Sequence, residues 1–146
     1  MKTSLSKNFN LEEFIYSETA ERYGIDNTPS EEIKNNINEL VVNVMQPIRD
    51  KYGKPIIINS GYRCPELNKK VGGSKTSRHL SGYACDFETK SGQNAELFNM
   101  IKEMIDNGEI EVDQLIWEYG TRKNPNWIHI GLHENKMRNQ ILYFYS

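Results

Sequence analysis

Tyr83-Ala84-Cys85-Asp86-Phe87 reads as a short β-strand that carries a carboxylate among apolar neighbours. Alternation along a strand sends Ala84 and Asp86 to one face and Cys85 and Phe87 to the other. A carboxylate taken out of water needs a counter-charge or a bound cation, and the small Ala84 leaves room beside Asp86 for a partner to approach. Trp127-Ile128-His129-Ile130-Gly131-Leu132 repeats the arrangement, with Ile128, Ile130 and Leu132 on an apolar side and Trp127, His129 and Gly131 opposite. Together the two segments predict a sheet with one face packed on a core and one open on a cleft.

The flanking sequence supplies the helices. Residues 9–24, with Leu11, Phe14, Ile15, Ala20 and Tyr23, suit one or two short helices as a lead-in. Thr28-Pro29-Ser30-Glu31-Glu32 reads as a helix start, with a hydroxyl cap, proline at the first helical position and acids where the helix dipole favours them. Ile33, Ile37, Leu40, Val41, Val44, Met45 and Ile48 follow at helical spacing to about Tyr52, where Gly53 and Pro55 stop the helix. Pro55-Ile56-Ile57-Ile58-Asn59 reads as a buried strand, and residues 61–82 as a long polar loop of the kind that usually carries function. A second helix is expected over 93–107, strands over 112–119 and 127–132 joined by a turn, and a closing strand over 140–145. Helices followed by mostly adjacent strands point to an α+β fold, a single domain over 1–146, with an antiparallel sheet, helices on one side and a helical lead-in.

Bulk properties narrow the function. Eighteen basic against twenty acidic side chains leave a net charge of −2 with no Lys/Arg block, which argues against a nucleic-acid partner. The N-terminus lacks the apolar core of a signal peptide, and no apolar run is long enough to cross a bilayer, so neither export by a visible signal nor membrane insertion is expected. A monomer is expected. Cys64 and Cys85 are too few for a disulfide framework and read as free thiols.

His79 precedes Asp86 by seven residues, at the mouth of the same strand. Two imidazoles and one carboxylate form an N,N,O set that leaves a fourth tetrahedral position for water, as in catalytic zinc sites. On residue types alone, satisfied or surface histidines account for the pattern as well. The wider string narrows this: Ser60-Gly61-Tyr62-Arg63-Cys64-Pro65-Glu66-Leu67-Asn68, then Ser77-Arg78-His79-Leu80-Ser81-Gly82-Tyr83-Ala84-Cys85-Asp86-Phe87, then Trp127-Ile128-His129-Ile130. It resembles the zinc D-Ala-D-Ala carboxypeptidase family of the Hedgehog/DD-peptidase superfamily, with its S-G-[YF]-R, S-x-H-x-x-G-x-A-x-D and W-x-H motifs, from about Phe9 to Tyr145.

The resemblance implies one Zn2+ held by His79, Asp86 and His129, with Arg63 on the substrate side. It further implies a peptidoglycan stem peptide as substrate, cut by a D,D-carboxypeptidase or an endolysin-type endopeptidase. Ser77 stands where it could bind substrate, orient the ligand loop or simply shape a turn. A general base is also needed, and here the chain departs from the family: many relatives place an acid three residues before the second histidine, where this chain has Asn126. Glu118, at the end of the strand that pairs with Trp127 and His129, is the candidate base. His133 shares the face of His129 but lies too far along the strand to share its metal, and is expected at the rim. A non-catalytic zinc module of the same fold is the competing expectation, motivated by Asn126. Without a leader, a phage or prophage lysis enzyme, or a virion-associated one, is the expected setting.

Overall fold

The computed structural model describes residues 2–145. Along the chain run α1 (Leu11–Ile15), α2 (Glu18–Tyr23), α3 (Glu31–Leu40), a π-helical turn (Val41–Met45), α4 (Gln46–Tyr52) and β1 (Ile56–Ser60). Then follow α5 (Pro65–Lys70), a 3-10 turn (Arg78–Ser81), β2 (Ala84–Thr89), α6 (Asn94–Asp106), β3 (Gln114–Glu118), β4 (Trp127–Gly131) and β5 (Gln140–Phe144). The strands form one sheet in the order β1-β2-β4-β3-β5, and the α+β class holds.

The apolar face of the sheet is the one predicted. Cys85 and Phe87 of β2, Leu115 and Trp117 of β3, and Ile128 and Ile130 of β4 are buried in one core with Val41, Val44, Met45 and Ile48 and with Leu97, Phe98 and Ile101 of α6. The long helices therefore cover one face, and the other is left to the polar residues of the same strands.

Residues 31–52 are helical throughout, but not uniformly α. Pro47 lacks the N–H that an interior position should donate, and its ring crowds the carbonyl one turn earlier. The chain relieves this by widening the preceding turn, so that the Gln46 N–H bonds the Val41 carbonyl five residues back. Gly53, at φ 72°, then ends α4 in the left-handed conformation expected of a C-terminal glycine. The start lies one step later than the sequence suggested: Ser30 is the cap, its Oγ accepting the Ile33 N–H, and Pro29 precedes the cap instead of opening the helix.

Three other expectations need correction. The sheet is mixed, because β5 runs parallel to β3 whereas the other pairs are antiparallel. Gln114 at the start of β3 pairs with both Gly131 at the end of β4 and Gln140 at the start of β5. The connection through 132–139 thus hops over β3 at one end of the sheet, and a strand antiparallel to β4 across one intervening neighbour must be parallel to that neighbour. β1 is an edge strand with Ile56 buried and Ile57 41% exposed, so its apolar run does not mark a buried centre. The segment 61–82 is also more structured than a loop, holding α5 and the 3-10 turn.

The lead-in is tied to this segment. The Tyr62 N–H donates to the Phe14 carbonyl at 2.6 Å. Buried Asn27 gives its amide to the carbonyls of Ile15 and Tyr62 and accepts the Cys64 N–H. One side chain thereby clamps the backbone on both sides of Arg63.

Candidate active site

Asp86 and His129 face each other directly across β2 and β4, and the pleat turns both away from the core. His129 Nδ1 lies 2.8 Å from Asp86 Oδ1. His79 reaches the pair from the 3-10 turn, with Nε2 at 3.4 Å from Asp86 Oδ2. The two imidazole rings stand 5.3 Å apart at 66°. One donor atom from each of the three residues falls within 4.8 Å of the others. Asp86, His79 and His129, separated in the chain, are brought to one point.

The tautomer of His79 is set by its neighbour. Its Nδ1 is 2.6 Å from the Gly61 carbonyl, which only accepts, so Nδ1 carries the proton and Nε2 offers a lone pair to the cluster. Gly61 makes this possible through close approach: a Cβ there would stand 2.8 Å from Phe14 Cα, so only glycine lets the loop lie against α1. His79 itself is 3% exposed. Burial acts to raise the Asp86 pKa, but the neighbouring imidazoles of His129 and His79 outweigh it and hold the carboxyl well below the usual range. An anionic carboxylate with two imidazoles is a donor set suited to a divalent transition metal with open positions. The residues present fit zinc.

Around the cluster lies a cleft of about 730 Å³ whose walls include Arg63, Ser77, Arg78, Glu118, Tyr119 and Trp127. Arg63 donates its backbone N–H to the His79 carbonyl at 3.0 Å. Its side-chain Nε is buried without a hydrogen-bond partner among the described residues. Burial lowers the Arg63 pKa while Asp86 draws it back up, so this cation is partly stripped of water beside the metal-binding carboxylate. Ser77 Oγ accepts the His79 N–H at 3.2 Å and caps the 3-10 turn.

Glu118 ends β3 opposite Trp127, two residues along β4 from His129. Burial pushes its pKa above the ordinary carboxylate value, with His129 pulling down and Asp86 pushing up. Asn126 is exposed and does not line the cleft; its backbone N–H donates to the Glu118 carbonyl at 3.0 Å. Glu118 of β3 thus lines the cleft where position 126 does not. His133 lies outside the cluster, its Nδ1 accepting the Asn135 N–H. Both cysteines are free; Cys85 is buried, whereas Cys64 is half-buried at the cap of α5, its Sγ taking the Leu67 N–H.

Sequence reasoning missed several cleft residues. Arg78 lay inside the quoted motif but beside the more conspicuous His79. Asp113 and Arg138 are paired across the fold at 2.8 Å, a contact that no local pattern announces. Tyr119 has φ 57°, unusual for a residue with a side chain, and packs edge-on against Trp127 at 5.3 Å. The following Gly120 also has positive φ, and this pair of residues turns the chain at the cleft rim.

Comparison with known proteins gives two findings. A family model described as Peptidase M15 matches residues 7–131. The zinc D-Ala-D-Ala carboxypeptidase of Streptomyces albus G is 44% identical over 43 residues, which is 29% of this chain and 17% of that protein's length.

Proposed function

The chain belongs to the peptidase M15 family, and from that premise we propose that it is a zinc-dependent peptidase hydrolysing a peptide bond beside a D-amino acid in bacterial peptidoglycan, as a D,D-carboxypeptidase or an endopeptidase. The observation that carries this reading is the convergence of His79, Asp86 and His129 donor atoms within 4.8 Å on the open face of the sheet. The similarity to a zinc D-Ala-D-Ala carboxypeptidase supports both the metal and the substrate class. The Hedgehog/DD-peptidase fold accords with the sheet and the placement of the motifs.

His79 Nε2, Asp86 and His129 Nδ1 would hold the ion. Bound zinc supplies Lewis acidity to a water and to the scissile carbonyl. Glu118 takes the proton of the attacking water, and its raised pKa brings it nearer the working range of a general base. Proton return to the leaving amine falls to the same carboxyl. Arg63, clamped through its backbone and partly dehydrated, stabilises the developing oxyanion. Ser77 holds the His79 turn in place and presents the rest of its hydroxyl to the cleft.

Purified peptidoglycan digested with zinc-loaded protein, with released stem fragments identified by mass, tests the proposal. Wild type should release fragments, chelation should abolish release, and Glu118→Gln should retain zinc while losing a factor of roughly 10²–10⁴ in rate. Zinc-loaded wild type that releases nothing would refute the peptidase reading in favour of a zinc-containing binding module.

A further inference from the structure

We propose that Arg78 and Arg138 form a carboxylate-binding subsite on the flank of the metal cluster away from Glu118. The register of β3 on β4 defines the two flanks: Glu118 pairs with Trp127 two residues to one side of His129, and Gln114 pairs with Gly131 two residues to the other. Each flank is thus about 7 Å along the strand from His129. The Glu118 flank carries an acid and the Tyr119–Trp127 aromatic pair. The opposite flank carries guanidinium groups.

Arg138 is held there by a carboxylate with no freedom of its own. Asp113 is 2% exposed and accepts Arg138 Nε at 2.8 Å, Nη2 at 3.0 Å and the backbone N–H at 3.3 Å. The next residue, Asn139, is locked at φ 51°, its N–H bonding the Val112 carbonyl and its Oδ1 accepting the Val112 N–H. Asp113 engages one edge of the guanidinium; the side chain remains 44% exposed and lines the cleft, so donors are left for a ligand.

Arg78 has no such partner. Its guanidinium makes no hydrogen bond or ion pair among the described residues, although it lines the same cleft. Its stem lies over Gly131, where a Cβ would stand 3.7 Å from Arg78 Cγ. Its charge is near enough to Asp113 to help hold that acid ionised. Asp113 commits its hydrogen bonds to Arg138, which leaves the Arg78 guanidinium, next in the chain to a metal-binding histidine, with no carboxylate bonded to it among the described residues. Two guanidinium forks, one pre-organised and one free, match a carboxylate in geometry and charge.

The identity of the ligand rests on the peptidase reading, because the anion must belong to the peptide being cut. One chemistry has two sources: a free C-terminal carboxylate, as a carboxypeptidase requires, or a carboxylate on an acidic residue within the stem, as an endopeptidase would meet. Synthetic stem peptides in acid and amide forms at each position separate them. Binding is measured by calorimetry to zinc-loaded Glu118→Gln protein, and turnover with wild type. One acid form should bind at least tenfold more tightly than its amide, the range of a charge-assisted hydrogen bond, and that position identifies the source. Arg78→Gln should bring this ratio towards one, and Arg138→Lys should reduce it less, with the change appearing in KM more than in kcat. Equal binding of every acid and amide pair, or an unchanged ratio in Arg78→Gln, would overturn the subsite whether or not the peptides are cleaved. Failure of wild type to cleave them would count against the peptidase reading alone.

Discussion

Replacing Gly61 with alanine would drive a methyl group into the backbone of Phe14, with the new Cβ 2.8 Å from Phe14 Cα and 2.9 Å from its carbonyl carbon. Neither side yields easily. Phe14 is 1% exposed within the core, and its carbonyl is held by the Tyr62 N–H at 2.6 Å. Forced overpacking of this kind costs about 1–3 kcal/mol, which for a chain of this size lowers the melting temperature by roughly 3–10 °C. The same displacement moves the Gly61 carbonyl that holds His79 Nδ1 at 2.6 Å. Loss of such a support typically weakens metal affinity about 10–100-fold. Thermal unfolding in chelator measures the first effect, and zinc competition against a chromogenic chelator measures the second. Gly92→Ala is the control: at φ +81° with no atom near its Cβ, it should lower stability by backbone strain and leave zinc affinity unchanged. A Gly61→Ala protein that melts early yet binds zinc like wild type would refute the coupling between α1 packing and the metal ligand.

Two further outcomes follow from the packing and the charges. Phe98 is fully buried and packs on Trp117 at 5.2 Å and Tyr143 at 5.4 Å, so Phe98→Ala should cost about 3–5 kcal/mol in urea unfolding; a loss below about 1 kcal/mol would contradict this core. Asp113 has its pKa lowered by the hydrogen bond from Arg138, against burial, so it contributes stability above the unfolded value near 4 and loses it as pH falls through the folded value. The gap in urea midpoint between wild type and Asp113→Asn should therefore be full near neutral pH and shrink below about pH 4; a gap independent of pH would refute the ion pair.

What the sequence made legible was whatever local period controls. Parity in β2 and β4 placed Asp86 and His129 on the face opposite Cys85, Phe87, Ile128 and Ile130, as found. Glu118 was put beside Trp127 and His129 by the expected pairing of their strands, and it lines the cleft. The reading failed where the controlling contact is distant in the chain. The direction of β5 depends on a connection hopping over β3, and nothing within 140–145 records it. Arg138 drew no notice because Asp113, which fixes it, is 25 positions away. α5 was hidden by its polar composition; it starts at Pro65, is capped by a cysteine, and buries only Leu67 and Asn68. The apolar spacing over 31–52 carries no sign of the widened turn before Pro47.

That widened turn sets a rule for the length of the segment. One extra residue accommodated between α3 and α4 rotates everything downstream by about 100° relative to an uninterrupted helix. Leu40 and Ile48 are both fully buried only with that offset in place. Making the hydrogen-bond ladder regular without removing a residue would swing Ile48 off the sheet, so better local helix geometry would come with a worse protein. Deleting one residue from Val41–Met45 would instead remove the bulge and keep Ile48 in phase. Insertions and deletions here are constrained by angular phase, and homologues that lack the proline would be expected to differ in spacing at this point as well as in identity.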